Sequence, residues 1–197
     1  MLEHRHFKAF LVDLDGTLAD TAEANFLAYS LALAECGVAV DRATFEREAI
    51  GRNWRQFLPA MMVRANGEAT AACVAQRKTE LYREATAHTR FNDSLVMLLQ
   101  QLRRSGAQLA LVTTASAANV AAVLAGRPDI AALFDLAVTG DDVSRHKPDP
   151  EAYCLAAQRL GLEPHECLVI EDSDIGLAAA RSFGATVLRV SMEGLRP

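Results

Sequence analysis

The sequence predicts an α/β protein, a mostly parallel five-stranded sheet covered by helices on both faces, with an all-helical segment inserted near its start. Three observations lead there. Short apolar, β-branched runs alternate with helical periodicities along most of the chain. Acids and hydroxyls stand at the carboxyl ends of several of those runs, where open α/β sheets bind their ligands. The stretch from Ala19 to His88 breaks the alternation, being alanine-rich and helical in pattern with no strand signal.

The strands are expected at Ala9 to Val12, Gln108 to Thr113, Leu136 to Thr139, Cys167 to Glu171 and Thr186 to Val190. Before the second of these, Leu95, Leu98, Leu99 and Leu102 recur at helical spacing, and Gly106 can close that helix in a left-handed conformation. Asp149-Pro150-Glu151 reads as a helix cap, a proline at the first helical position and an acid in the first turn, with the helix running to Gly161. A short helix follows Asp174 and stops near Gly184. In the inserted segment, Asp20 and Glu23 have capping-box spacing, and Phe26, Tyr29 and Leu33 share one face before Gly37. Asn66-Gly67 signals a turn inside the insert. The pattern divides the chain into a core of residues 1–18 and 89–197 and a helical unit of residues 19–88. Only Ser191 to Pro197 follow the fifth strand, which is expected at an edge with little cover.

Composition narrows the function classes. The four cysteines, Cys36, Cys73, Cys154 and Cys167, have no Cys-x-x-Cys spacing, so neither a zinc site nor a disulfide framework is indicated, and a reduced, cytoplasmic setting fits. No apolar run approaches membrane-spanning length. A net charge of −5 disfavours general nucleic-acid binding, yet local cations or a metal could still receive a small anion.

The segment Asp13-Leu14-Asp15-Gly16-Thr17 follows the first strand. Alternation sends the two carboxylates to the same side, where like charges this close require either a shared proton or a cation. A polar turn would explain an Asp and a Gly there, but not the full string. At average residue frequencies of about 5–7%, Asp-x-Asp-Gly-Thr arises by chance in about one of several hundred chains of this length.

With this string, the sequence resembles the haloacid dehalogenase superfamily, whose phosphatase members carry it as their first motif. Three further elements match in order: Leu111-Val112-Thr113; Lys147-Pro148 ahead of a helix; and Val169-Ile170-Glu171-Asp172-Ser173, followed by Gly176 and Ala179-Ala180. The resemblance implies a Rossmann-like core with a small helical cap, and a Mg²⁺-dependent phosphatase acting on a small phosphorylated metabolite such as a sugar phosphate or phosphoglycolate. It implies that Asp13 is the nucleophile and a metal ligand. Asp15 would protonate the leaving group, activate water and bind metal through its carbonyl. Thr113, the Thr114 amide and Lys147 would hold phosphate, Asp172 would complete the metal site, and Glu171 would be a ligand or the partner of one.

The second acid separates this string from the Asp-x-Tyr-Gly-Thr of the dehalogenases and favours ester chemistry. The segment from Asp13 to Gly37 also resembles β-phosphoglucomutases. However, Asn25 and Ile50 stand where those mutases carry a His and a Lys, so a hydrolase is favoured over a phosphomutase. A non-catalytic binding module on the same fold is disfavoured because every chemical group is present. Arg52, Trp54 and Arg55, beside Gly51, are the candidates for substrate contacts, although solvated arginines and a core tryptophan would also explain them.

Overall fold

The computed structural model describes residues 7–64 and 70–192, so the Asn66-Gly67 turn and the last five residues lie outside the described residues. Five parallel strands form the sheet: β1 (Ala9–Val12), β4 (Gln108–Val112), β5 (Leu136–Val138), β6 (Cys167–Glu171) and β7 (Thr186–Arg189). Their order is β5-β4-β1-β6-β7, which places β1 at the centre with Ala9 opposite both Gln108 and Cys167. Three of the expected strands run one residue too long: Thr113, Thr139 and Val190 lie just past the last paired residues, where the backbone turns toward the ligand edge.

Side-chain alternation divides the sheet residues between two cores. On one face Val12, Leu109 and Leu111 pack against α5 (Asp93–Arg104) and α6 (Ala117–Leu124), joined by Ile130 of the short α7 (Pro128–Ala131). On the other, Leu11, Ala110, Val112 and Val169 meet α8 (Glu151–Leu160) and α9 (Asp174–Phe183). Leu99 of α5 is fully buried, a contribution of about 1.5–3 kcal/mol for a side chain of that size. Gly106 follows α5 with φ +90°, and Gly161 and Gly184 end α8 and α9 in the left-handed conformation. The edge strand β7 is mostly exposed, as expected.

Among its described residues the inserted stretch holds four α-helices: α1 (Ala22–Ala34), α2 (Arg42–Ala49), α3 (Trp54–Met61) and α4 (Ala71–Ala85). Tyr29, Leu33, Phe45, Phe57, Leu58 and Val74 give them a core of their own, with Phe26 packed against it. Where the helical stretch joins the sheet, β2 (Ala19–Asp20) pairs antiparallel with β3 (Arg90–Phe91), a two-residue ribbon too short to leave a period-two signal.

Two capping expectations are corrected. Thr21, not Asp20, occupies the cap position of α1 and makes no side-chain capping bond, because Asp20 is held in the ribbon and Glu23 pairs with Arg42. Helix α8 starts at Glu151 with Pro150 as its cap residue, one position later than read, although Asp149 Oδ1 still accepts the Glu151 amide at 2.9 Å. No helix among the described residues is long and apolar enough to cross a membrane.

Candidate active site

The carboxyl ends of β1, β4 and β6 converge on one edge of the sheet and deliver Asp13, Thr113 and the Glu171-Asp172 pair to one place. Asp13 is buried, and its amide is anchored on the Ile170 carbonyl at 3.0 Å. The chain then turns tightly, with Leu14 and Leu18 fully buried and the Gly16 amide bonded to the Ala19 carbonyl at 2.8 Å. Gly16 is obligatory in that turn. Its φ is +83°, and a Cβ there would stand 2.2 Å from Asp172 Oδ2.

Lys147 is only 2% exposed. Its ammonium donates to Asp13 Oδ1 at 2.8 Å, Glu171 Oε1 at 2.7 Å and the Val112 carbonyl at 3.1 Å. Three acceptors use its three protons. Burial pulls the Lys147 pKa down, but Asp13, Tyr153 and Glu171 outweigh it and hold the group charged, well above the ordinary lysine value.

The four acids sit in different environments. Burial raises the Asp13 pKa, and Glu171, Asp172 and Asp15 add to it; Lys147 pulls it back without restoring the ordinary value. Asp172 is pushed up to about 6, chiefly by burial and then by Glu171, with the Thr17 hydroxyl at 3.3 Å acting against them. Burial also opposes ionisation of Glu171, but Lys147 and the Ser173 donors hold its pKa below the usual range. Its Oε1 also accepts the Tyr153 hydroxyl at 3.3 Å, and its Oε2 accepts the Asp172 and Ser173 amides, each at 2.9 Å. Such close seating depends on Gly176, where a Cβ would lie 1.7 Å from Glu171 Oε1.

Asp15 is held separately. It accepts from the Thr21 hydroxyl, from Asn25 Nδ2 at 3.2 Å and from the Thr113 hydroxyl at 3.4 Å. Asp13 and Asp15 therefore do not pair with each other; Asp13 clusters instead with Glu171 and Asp172, whose ligand atoms all lie within 4.8 Å of one another. The donor set fits a hard divalent cation: oxygen ligands only, with Lys147 the cation bonded to the group among the described residues. Among the described residues both Glu171 oxygens accept hydrogen bonds, whereas Asp13 and Asp172 each accept through Oδ1 alone, and all three carboxylates belong to the group that could hold an ion.

These groups floor a cavity of about 590 Å³ between the sheet edge and the helical stretch. Thr114 lines it, whereas Thr113 is buried beneath, its hydroxyl accepting the Ala115 amide at 3.1 Å. Arg52 and Trp54 line the wall, but Arg55 is not among the lining residues and stacks its guanidinium 4.4 Å over Trp54. Arg52 is already committed to the end of α2, donating to the Arg47 and Glu48 carbonyls at 2.9 and 2.6 Å. Sequence reasoning missed Lys78, a fully buried lysine in the same wall. Its signal was available: Val74, Lys78 and Tyr82 are spaced by four and form the buried face of α4.

Protein CbbY of Rhodobacter capsulatus is 33% identical over 96% of this chain and 87% of its own length. Hexitol phosphatase A of Escherichia coli is 32% identical, over 93% of this chain and 83% of its own. The crystal structure of CbbY from Rhodobacter sphaeroides in complex with phosphate superposes with a TM-score of 0.85 at 29% identity, covering 94% of this chain and 86% of that one. The match to the family described as haloacid dehalogenase-like hydrolase runs from residue 7 to residue 184. It takes in the Asp13 turn, Thr113, Lys147 and the Glu171-Asp172 pair, so this chain belongs to the haloacid dehalogenase-like hydrolases and is an enzyme of that family.

Proposed function

We propose that the enzyme is a Mg²⁺-dependent phosphatase for a small sugar or polyol phosphomonoester, working through an aspartyl-phosphate on Asp13, with residues 19–88 as its cap domain. The observation that carries the reading is the unequal treatment of two neighbouring acids. Asp13 is held by Lys147 within an acidic cluster, whereas Asp15 is held by neutral hydroxyl and amide donors 98 or fewer residues away in sequence. The first arrangement suits a nucleophile and the second a proton carrier.

In the proposed reaction a carboxylate oxygen of Asp13 attacks phosphorus as the ester P–O bond breaks, and the departing alkoxide takes a proton from Asp15. Water then gives a proton to Asp15 and attacks the same phosphorus; the Asp13–phosphorus link breaks, restoring the carboxylate and releasing inorganic phosphate. The Thr114 amide would hold a phosphoryl oxygen, and Lys147 and the Thr113 hydroxyl would do so by exchanging present partners, the Val112 carbonyl and Asp15. Glu171 keeps Lys147 charged and aimed. Asp13, Asp172 and the Asp15 carbonyl would hold Mg²⁺, with Glu171 supporting the site from behind, and the ion would neutralise charge on the phosphoryl group.

The name hexitol phosphatase A and the phosphate bound to a CbbY support phosphate-ester chemistry. A hydrolase is favoured over a mutase because Asn25, whose amide donates to Asp15, has no titratable proton to exchange with it. Purified protein assayed against sugar phosphates, polyol phosphates, phosphoglycolate and nucleotides is expected to release phosphate fastest from one sugar or polyol ester. Chelation should abolish that activity and Mg²⁺ should restore it. Equal rates with and without divalent metal would refute the metal assignment.

A further inference from the structure

The capping box of α3 is built from two carboxamides. Asn53 Oδ1 accepts the Arg55 amide at 3.1 Å, and Gln56 Oε1 accepts the Asn53 amide at 2.8 Å. For capping alone, a hydroxyl or carboxylate pair would do as well. What the carboxamides add is a donor on each side chain, and both donors leave the helix. Asn53 Nδ2 reaches the Thr114 carbonyl at 2.8 Å, and Gln56 Nε2 reaches the Lys147 carbonyl at 3.1 Å. Asn53 is 2% exposed, and a Cβ on Gly140 would lie 2.6 Å from Asn53 Nδ2 and 2.4 Å from the Thr114 oxygen, so the contact is close-packed.

We infer that Asn53 and Gln56 are positioning residues: a two-pronged latch that fastens the helical stretch to the sheet by the backbone of the phosphate-holding residues. This inference rests on the phosphatase reading for its effect on rate. The two carbonyls belong to Thr114, whose amide is assigned to phosphate, and to Lys147, whose ammonium holds Asp13. The two contacts tie the β4 loop and the Lys147 loop to the same helix that presents Trp54 to the cavity, so the seating of α3 and the placement of the phosphate-holding backbone depend on each other. Aspartate and glutamate at these positions would keep the capping oxygens but carry no donor, and would set a negative charge against each carbonyl.

The test is the N53D/Q56E double variant compared with wild type, read by hydrogen exchange and by kinetics. The variant retains the cap of α3, so its melting temperature is expected to stay within a few degrees. Exchange of amides in 112–117 and 145–149 is expected to rise several-fold, and kcat/KM on the preferred sugar or polyol phosphate to fall on the order of tenfold, the loss expected for two donors. A role confined to capping α3 would move neither. Wild-type exchange in both core segments would overturn the latch, whatever the rates. Failure of the wild type itself to hydrolyse any phosphate ester would overturn the phosphatase reading instead, and the exchange data would still decide the latch.

Discussion

Lys78 lies in the cavity wall with its ammonium 3.4 Å from the Tyr82 ring centre and 4.9 Å from that of Tyr29. No carboxylate forms an ion pair with it among the described residues, and burial lowers its pKa to about 7 despite the field of Asp15. The sign follows from linkage. Between about pH 7 and the ordinary lysine value of 10.5, the unfolded chain binds a proton that the folded chain does not, so this group makes stability rise with pH across that window. Below about pH 7 both states are charged, and the cost of the buried charge is constant and full. The ring faces offset part of it. Lys78→Met is therefore expected to stabilise the fold by about 2–4 kcal/mol at pH 6 and to flatten the rise above pH 7. Urea unfolding at several pH values checks this; a destabilised variant at pH 6 would contradict it. The residue shows why pattern reading failed here, since a lysine on an apolar helix face is ordinarily read as solvated.

At the scale of elements, the turn after β1 sets the position of the acids proposed to face a metal. Gly16→Ala must bear a positive φ and displace Asp172, whose Oδ2 would sit 2.2 Å from the new Cβ. The backbone alone costs about 1 kcal/mol, and the carboxylate must also move. The variant is expected to melt several degrees lower and to lose most of its thermal response to Mg²⁺; calorimetry with and without the ion measures both, and an intact response would argue that Asp172 does not face the ion. Much of this element was legible in the sequence. The apolar run at Ala9 to Val12, the two acids and the glycine located the site, because strand alternation and turn chemistry act over a few residues. The partners were not legible. Glu171 bonding to Lys147, Asn25 to Asp15 and Asn53 to Thr114 each join residues brought together only by the fold, and a two-residue ribbon such as β2–β3 leaves no periodicity to read.

Over the whole molecule, the site stores a charge imbalance that the fold must bear when no cation is bound. Asp172, with its folded pKa raised from 3.8 to about 6, binds an extra proton in the folded state between those values, so its contribution to stability is lost as pH rises through that window. The loss is on the order of 2–3 kcal/mol. Asp13 acts in the same direction and Glu171 in the opposite one. Above about pH 6 a divalent cation would take the place of the missing proton. Mg²⁺ is expected to raise the melting temperature strongly at pH 7.5 and little at pH 5, the stabilisation reaching about 2.7 kcal/mol at a hundredfold excess over its Kd. Asp172→Asn should erase most of the difference between the two pH values. An equal Mg²⁺ effect at both would mean that the ion does not depend on this carboxylate.

The proposed reaction turns on one group, the Asp13 carboxylate, which Lys147 holds at the carboxyl end of the central strand. Acid quenching of the enzyme during turnover of its preferred ester, followed by mass spectrometry of the peptide spanning residues 9–18, tests that claim most directly. The expected result is a phosphoryl adduct on Asp13 in the wild type. It should be absent in Asp13→Asn, which should remain folded and lose activity by about 10³-fold or more. Undiminished turnover by Asp13→Asn, or an adduct on another residue, would contradict it.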